Sequence, residues 1–312
     1  TRPTKLSHNR QLIQLAEMSD WLSPKDLNEK VLKESDWLVE EIPGVAWLGE
    51  AMRIGHHTKA IFRRRSRSNM LLVGNSEETI FGNLGGVLLS LIHCYEPQNT
   101  EFKIIDLSST DNNWSEMSVA FRDIFGQNFS VTLGKRLKKE EKLIERAEII
   151  LQNIHTEFER RQQQRNDNHD EINQETSIFF VCAIGGLSRF QNLRPVAGRR
   201  GEETSPDAKK LVQLVSQGPE LGIHTIVWVD DMKTFFKVTP DSKAWLAHFD
   251  LRIGLRMPEN DSRQLLGENY AHNLPPLRAY FRDESNTIGL EKFKPYSVPS
   301  TQEIIDYNER LK

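Results

Sequence analysis

Residues 69–82 read Asn-Met-Leu-Leu-Val-Gly-Asn-Ser-Glu-Glu-Thr-Ile-Phe-Gly, a layout of apolar strand, tight loop and helix. A phosphate-binding loop, G-x-x-x-x-G-K-[ST], has the same layout. Its backbone N–H groups cradle phosphates, its lysine meets the β and γ oxygens, and its hydroxyl holds magnesium. Here only the first glycine fits, as Gly74. After it come Asn75, Ser76, Glu77 and Glu78, then Thr79 at the second glycine position, Ile80 at the lysine position and Phe81 at the hydroxyl position. Glu77 and Glu78 add two negative charges where a triphosphate would lie, with no cation to offset them. Such a loop lacks both the cation and the metal ligand, so efficient hydrolysis is excluded. Taken alone, Gly74 reads equally well as a glycine that ends a strand.

Hydrolysis on this scaffold also needs a second central strand ending in an acid for magnesium, with a neighbouring carboxylate to activate water. The run Ile178-Phe-Phe-Val-Cys-Ala-Ile-Gly-Gly-Leu187 is the candidate, and its tip carries Cys182 and Ala183, neither of which can serve. Two missing features together predict a domain that does not hydrolyse ATP and needs no ATP or magnesium of its own. No metal site is expected elsewhere. His56-His57 has no third ligand at a sensible spacing, and Asp230 and Asp231, adjacent on a strand, point to opposite faces. Cys94 and Cys182 lie in apolar runs without metal or redox spacing, which predicts reduced, buried thiols in a cytoplasmic protein.

The elements around these residues alternate short apolar runs with helical stretches, the pattern of a mostly parallel sheet covered on both faces. Strands are predicted at 70–74, 102–107, 129–133, 178–183, 225–229, 251–255, 279–282 and 287–290, and several are nearly all apolar, as strands buried on two faces are. A helix is expected from Thr79 to about His93. Another spans 135–165, with an apolar stripe at Leu143, Ile144, Ala147, Ile150, Leu151, Ile154 and Phe158. The polar tract 162–175 reads as a surface loop. Residues 1–45 carry apolar positions at helical spacing with a break at Ser23-Pro24, a helical connector ahead of one α/β domain over 46–312. The opening Thr-Arg-Pro-Thr-Lys, without an initiator Met, reads as part of a longer protein. Hydrophobic residues are 38% and charged residues 27% of the chain, with net charge −3, which excludes a wholly basic nucleic-acid binder but leaves room for local patches. No apolar run approaches the ~20 residues of a membrane span.

The second half adds specificity. Gly222-Ile-His-Thr-Ile-Val-Trp-Val-Asp-Asp is similar to the G-I-H-L-I-L-A-T-Q-R strand of the FtsK/SpoIIIE motors. Phe249-Asp-Leu-Arg252-Ile-Gly-Leu-Arg256-Met-Pro-Glu-Asn-Asp261-Ser262-Arg263 is similar to their F-x-x-R-I-x-F-R-x-x-x-x-x-D-S-R. The chain resembles this family, and equally the related EccC-type ATPases of type VII secretion, over roughly residues 46–295. The resemblance implies a RecA-like P-loop fold in a degenerate copy, because the family's Gln and Arg at the end of the G-I-H strand fall on Asp230 and Asp231. It also implies that Arg256 or Arg263 completes the site of an active neighbouring domain, as arginine fingers do, with ATP and magnesium held by that neighbour. Asp261 and Arg263 read as well as a local ion pair.

Two basic segments remain. The loop 185–201 carries Arg189, Arg194, Arg199 and Arg200, and in motors of this class the corresponding loop touches the DNA backbone, which needs charge and reach rather than sequence reading. Glu202 and Glu203 follow at once and partly cancel that field. Arg63-Arg-Arg-Ser-Arg67 reads as a solvated entry to the first strand. Two functions follow from the resemblance. One is a structural or regulatory module that stacks on P-loop domains of the same polypeptide or ring and contacts double-stranded DNA. The other is a docking domain of a protein-export motor that takes a secretion-signal peptide near the vestigial nucleotide loop. A working ATPase with unusual residues is the third.

Overall fold

The computed structural model describes residues 44–52, 57–94, 100–107, 113–126, 130–135, 140–167, 178–184, 190, 193–198, 201–237, 242–286 and 289–310. The expected connector therefore lies outside the described residues, except that Gly44 and Val45 already belong to a strand.

Ten strands form one sheet. In chain order they are β1 (Gly44–Ala51), β2 (His57–Phe62), β3 (Met70–Val73), β4 (Thr100–Asp106), β5 (Ser130–Lys135), β6 (Ile178–Ile184), β9 (Ile223–Val229), β10 (Leu251–Gly254), β11 (Ala279–Asp283) and β12 (Glu291–Pro295). A small separate hairpin joins β7 (Val196–Gly198) and β8 (Gly201–Glu203). The order across the sheet is β2-β1-β12-β11-β10-β3-β9-β6-β4-β5. From β10 to β5 every pairing is parallel, while β11, β12, β1 and β2 continue it as an antiparallel flank.

Period-two alternation sends the apolar residues of the central strands to two cores. Met70, Leu72, Ile226 and Trp228 join one cluster with helix α1 (Glu77–Cys94) and helix α2 (Asn113–Phe125). Leu71, Val73, Val227 and Val229 join the other with α3 (Glu140–Asp167) and α4 (Pro206–Gln217). The remaining helices are α5 (Met232–Phe236), α6 (Ser242–Ala247), α7 (Glu259–Leu266) and α8 (Thr301–Arg310). Helices on both faces of a sheet with a parallel centre are the RecA-like arrangement expected. Helix α1 is buried nearly all round, through Ile80, Phe81, Leu84, Leu88 and Ile92. It also carries glycines where backbone crosses it: a Cβ on Gly82 would lie 1.9 Å from the Tyr296 carbonyl oxygen.

Several boundaries differ from expectation, each for a physical reason. Of the strand expected at 287–290, positions 287 and 288 lie outside the described residues and Gly289-Leu290 is not strand; a strand runs over Glu291–Pro295, whose alternating charges hid it in the sequence. β1 and β2 were not foreseen. The long helix starts at Glu140 rather than 135, because Lys135 ends β5. It runs on through the polar tract to Asp167, since tertiary partners hold its end: Gln162 Nε2 donates to Gln217 Oε1 at 3.0 Å and Arg165 pairs with Glu220 at 3.1 Å. Arg63–Arg67 is not simply a solvated run. Arg64 and Arg65 are half-buried, and Arg67, at φ 68°, pairs with Asp250 at 2.8 Å and donates to the Ala247 carbonyl.

Candidate functional site

The parallel strands deliver the candidate residues to one edge of the sheet, the carboxyl edge where α/β proteins hold ligands. Gly74 follows β3, Asp230-Asp231 follows β9, Leu255-Arg256 follows β10, and Cys182 and Ala183 close β6, paired with Ile226 and Val227 of β9.

At the first of these, helix α1 begins at Glu77, two residues earlier than the expected Thr79. The connection from β3 is therefore only Gly74, Asn75 and Ser76, too short to wrap a phosphate chain. Glu77 and Glu78 lie exposed in the first helical turn, where their charge favours the helix and repels anions. Ser76 closes that turn: its carbonyl accepts from Ile80 N at 2.9 Å and its hydroxyl lies 2.9 Å from that of Thr79. Thr79 is 1% exposed, and the Asn83 amide donates to its carbonyl.

Ile80 and Phe81, at the lysine and hydroxyl positions, point away from the edge into the core. They are 0% and 1% exposed, and Phe81 meets Trp228 edge to face at 5.2 Å. Trp228 also fixes the loop, because its indole N–H donates to the Gly74 carbonyl at 2.9 Å while Gly74 N–H donates to the Val229 carbonyl at 3.0 Å. Gly74 sits at φ +150°, and a Cβ there would lie 2.5 Å from the Leu255 side chain. Both polar groups of the one matching glycine are thus engaged by β9, and its open face is filled from β10. Sequence reasoning missed Trp228 and Leu255; the tryptophan in an otherwise aliphatic G-I-H strand was the available signal.

The remaining edge residues have local tasks. Asp231 caps α5, its Oδ1 accepting from Thr234 N at 2.6 Å. Gly222 takes φ +75° at the end of a 3-10 turn, and His224 is buried with Nδ1 2.8 Å from the Ser68 carbonyl. That carbonyl can only accept, so Nδ1 carries the proton; burial pushes the imidazole down to about 4. Arg252 is buried and donates to the carbonyls of Phe249 and Leu265 and to Glu284, a clamp on α7 and β11 rather than a nucleotide contact. Ser262 is fully buried and donates to the Glu268 carbonyl, closing the turn after α7. Arg263 is exposed and pairs with Glu259 at 3.3 Å, not with Asp261: residues four apart share a helix face and residues two apart do not. Arg256 is exposed beside Leu255 at the carboxyl edge. Arg194 is exposed, whereas Arg189, Arg199 and Arg200 lie outside the described residues.

Among the described residues no group of three His, Cys, Asp or Glu side chains is placed to hold a metal, and no helix is long and apolar enough to cross a membrane. Among the described residues, an open groove lies away from Gly74. It lies between β2 and the β11–β12 hairpin, with a volume of about 510 Å³.

An α/β sheet with this parallel centre, a strand–turn–helix at β3 and ligand-edge loops after β9 and β10 defines a domain of the RecA-like P-loop fold. No protein-family model and no curated protein matches the sequence. Solved structures do match in fold. The cytoplasmic domain of the type VII secretion ATPase EccC from Thermomonospora curvata superposes with a TM-score of 0.66 at 16% identity, over 99% of this chain and 34% of that one. EssC (ATPases 2 and 3) from Geobacillus thermodenitrificans gives 0.57 at 15%, over 88% and 49%. The pCW3 conjugation coupling protein TcpA with ATPγS gives 0.54 at 15%, over 87% and 72%. This chain thus spans about a third of the EccC chain and half of the EssC chain.

Proposed function

We propose that this chain is a P-loop-fold domain that does not hydrolyse ATP and serves as a structural or regulatory partner of active ATPase domains in a larger cytoplasmic motor. The observation that supports it is the burial of Ile80 and Phe81. The residues standing where a cation and a metal ligand belong are built into the core, and the helix that follows starts too early to leave a cradle. Neighbouring ATPase domains would carry ATP and magnesium, and exposed Arg256 or Arg263 would reach a neighbour's phosphates. Calorimetric titration of the purified chain with ATP and magnesium tests this directly. No binding at sub-micromolar ATP and no turnover are expected, and magnesium-dependent turnover at motor rates ends the proposal.

For the polymer handled by the whole machine, contact with duplex DNA through Arg189, Arg194, Arg199 and Arg200 predicts salt-sensitive binding that weakens when Arg199 and Arg200 are neutralised. Peptide docking is the second reading, and one observation favours it: the open groove beside β2. A Thermomonospora curvata EccC fragment, itself solved with a signal sequence peptide, shares this fold at a TM-score of 0.54.

A further inference from the structure

We propose that residues 34–43 of this chain, which precede β1 and lie outside the described residues, dock back into the groove beside β2, so that the domain carries its own occupant for that site. The inference is independent of the loss of hydrolysis. It also bears on the docking reading, because a foreign peptide would then have to displace this segment.

The groove calls for an acidic and apolar occupant. Ile61 of β2, Met52 after β1, Phe281 and Leu290 give it an apolar lining, and Met52 is left 57% exposed. Its volume, about 510 Å³, falls within the ~300–1,000 Å³ of ligand sites. Two ammonium groups line it as well. Lys59 lies 5.5 Å over the Trp47 ring and Lys292 6.0 Å over the Tyr280 ring, and neither meets a carboxylate among the described residues. An aromatic ring orients an ammonium but leaves its charge in place. Of the two acids in the lining, Asp283 accepts from Ser285 and Asn286 at 2.5–2.9 Å and faces the Arg63 charge, which leaves Glu291 against two lysines. The chain that flanks the lining outside the described residues cannot supply the deficit: 53–56 is Arg-Ile-Gly-His and 287–288 is Thr-Ile, with no carboxylate in either.

Residues 34–43 match that demand. They read Glu-Ser-Asp-Trp-Leu-Val-Glu-Glu-Ile-Pro, with carboxylates at Glu34, Asp36, Glu40 and Glu41, apolar side chains at Trp37, Leu38, Val39 and Ile42, and no cation. They also arrive at the right place. Gly44 and Val45, which open β1, are the Cα partners of Phe62 and Ile61 on β2. The segment therefore joins the sheet one strand spacing, about 4.8 Å, from β2 beside the groove-lining Ile61. Ten residues can span roughly 33 Å, whereas His57 to Ile61, four strand steps, covers roughly 13 Å. So short a tether holds the segment at high effective concentration, and weak individual contacts then suffice. The run 17–22, Glu-Met-Ser-Asp-Trp-Leu, shares Asp-Trp-Leu but carries fewer acids and lies farther from β1, which makes it the natural control.

Hydrogen–deuterium exchange of the whole chain, read by mass spectrometry, tests this. Residues 34–43 should exchange about tenfold or more slowly than the same segment as a free synthetic peptide. Lys59→Glu/Lys292→Glu and Met52→Glu should remove that protection. Glu40→Lys/Glu41→Lys should remove it too and should speed exchange at 57–62 and 289–292. Combining the two charge reversals should restore protection, and Glu17→Lys/Asp20→Lys should leave it as in the parent. Unchanged exchange of β3 and β9 certifies the fold of each variant, and the Glu40→Lys/Glu41→Lys protein decides alone if the groove variants lose it. Exchange of 34–43 at the free-peptide rate in the parent overturns the proposal, as does protection that survives both sets of substitutions. Protection that falls on dilution would put the segment of a second copy in the groove, and an equal effect of the 17–22 control would make that run the occupant; either result also overturns it.

Discussion

Restoring the hydroxyl that magnesium would require, by Phe81→Ser, should unfold this domain rather than revive a nucleotide site. Phe81 is 1% exposed, packs in the larger core cluster and meets Trp228 edge to face. Truncating a buried phenylalanine to alanine costs about 3–5 kcal/mol, a figure that already contains the ring contact. A serine hydroxyl left in that apolar hole adds roughly 1–3 kcal/mol if it finds no partner. The sum, about 4–8 kcal/mol, is comparable with the whole stability of an ordinary domain, ~5–15 kcal/mol. Phe81→Leu keeps most of the volume and should cost less than about 1.5 kcal/mol. Urea unfolding followed by tryptophan fluorescence measures all three proteins, since Trp228 reports on the same contact. A Phe81→Ser protein within ~1 kcal/mol of the parent would show that Phe81 does not fill the core as described, and the account of the loop would go with it.

Three further outcomes are expected. Arg252→Met should destabilise by roughly 2–6 kcal/mol, because it leaves the carbonyls of Phe249 and Leu265 without this donor, at about 1–3 kcal/mol each, and Glu284 with Arg282 as its remaining partner, whereas Arg256→Ala should stay within about 0.5 kcal/mol; thermal melts of the two variants check this. Gly82→Ala should lose about 1–3 kcal/mol against the Tyr296 carbonyl, while Gly289→Ala, with open space around it, should lose none. For His224, the folded pKa near 4 lies below the ordinary 6.5, so between these values the unfolded chain binds a proton that the native chain does not. Its contribution is therefore whole above about pH 6.5 and is lost as pH falls towards 4, by roughly 3 kcal/mol in all. Denaturation midpoints from pH 7.5 to 4 should show that slope, and His224→Gln should remove it.

How much of this was legible follows from where the information sits. Runs such as Met70–Val73 and Ile223–Val229 are apolar on both faces, and that pattern marks a central parallel strand without any partner being known. β12, Glu-Lys-Phe-Lys-Pro, buries only Phe293 and Pro295 and carries charge at its other three positions, so nothing local distinguishes it from a loop. The end of α3 is similar. Its residues from Gln162 to Asp167 have no apolar stripe, and the helix persists there through partners some fifty positions away, Gln217 and Glu220, which no window of sequence contains. The groove shares this origin, since Lys59 and Lys292 line it together only because β1 pairs with both β2 and β12.

The loop after β3 shows how a motif and its chemistry part company. Gly74 matches the first position of a phosphate loop, yet no nucleotide is needed to account for it. Its φ of +150° excludes ordinary side chains, Leu255 occupies the space a Cβ would take, and Trp228 and Val229 use both of its backbone polar groups. A phosphate would have to take the Gly74 N–H from the Val229 carbonyl, open a connection of three residues and approach Glu77 and Glu78, with no lysine to offset any step. Each requirement raises the free energy of the bound state, and none is relieved by placing a single lysine at position 80, because that position is fully buried and points into the core. Recovering nucleotide binding therefore demands a shifted helix start, not a changed side chain: Ile80→Lys alone should yield a destabilised protein that still gives no heat with ATP, and a functional Ile80→Lys protein would mean that the start of α1 is not where these contacts hold it.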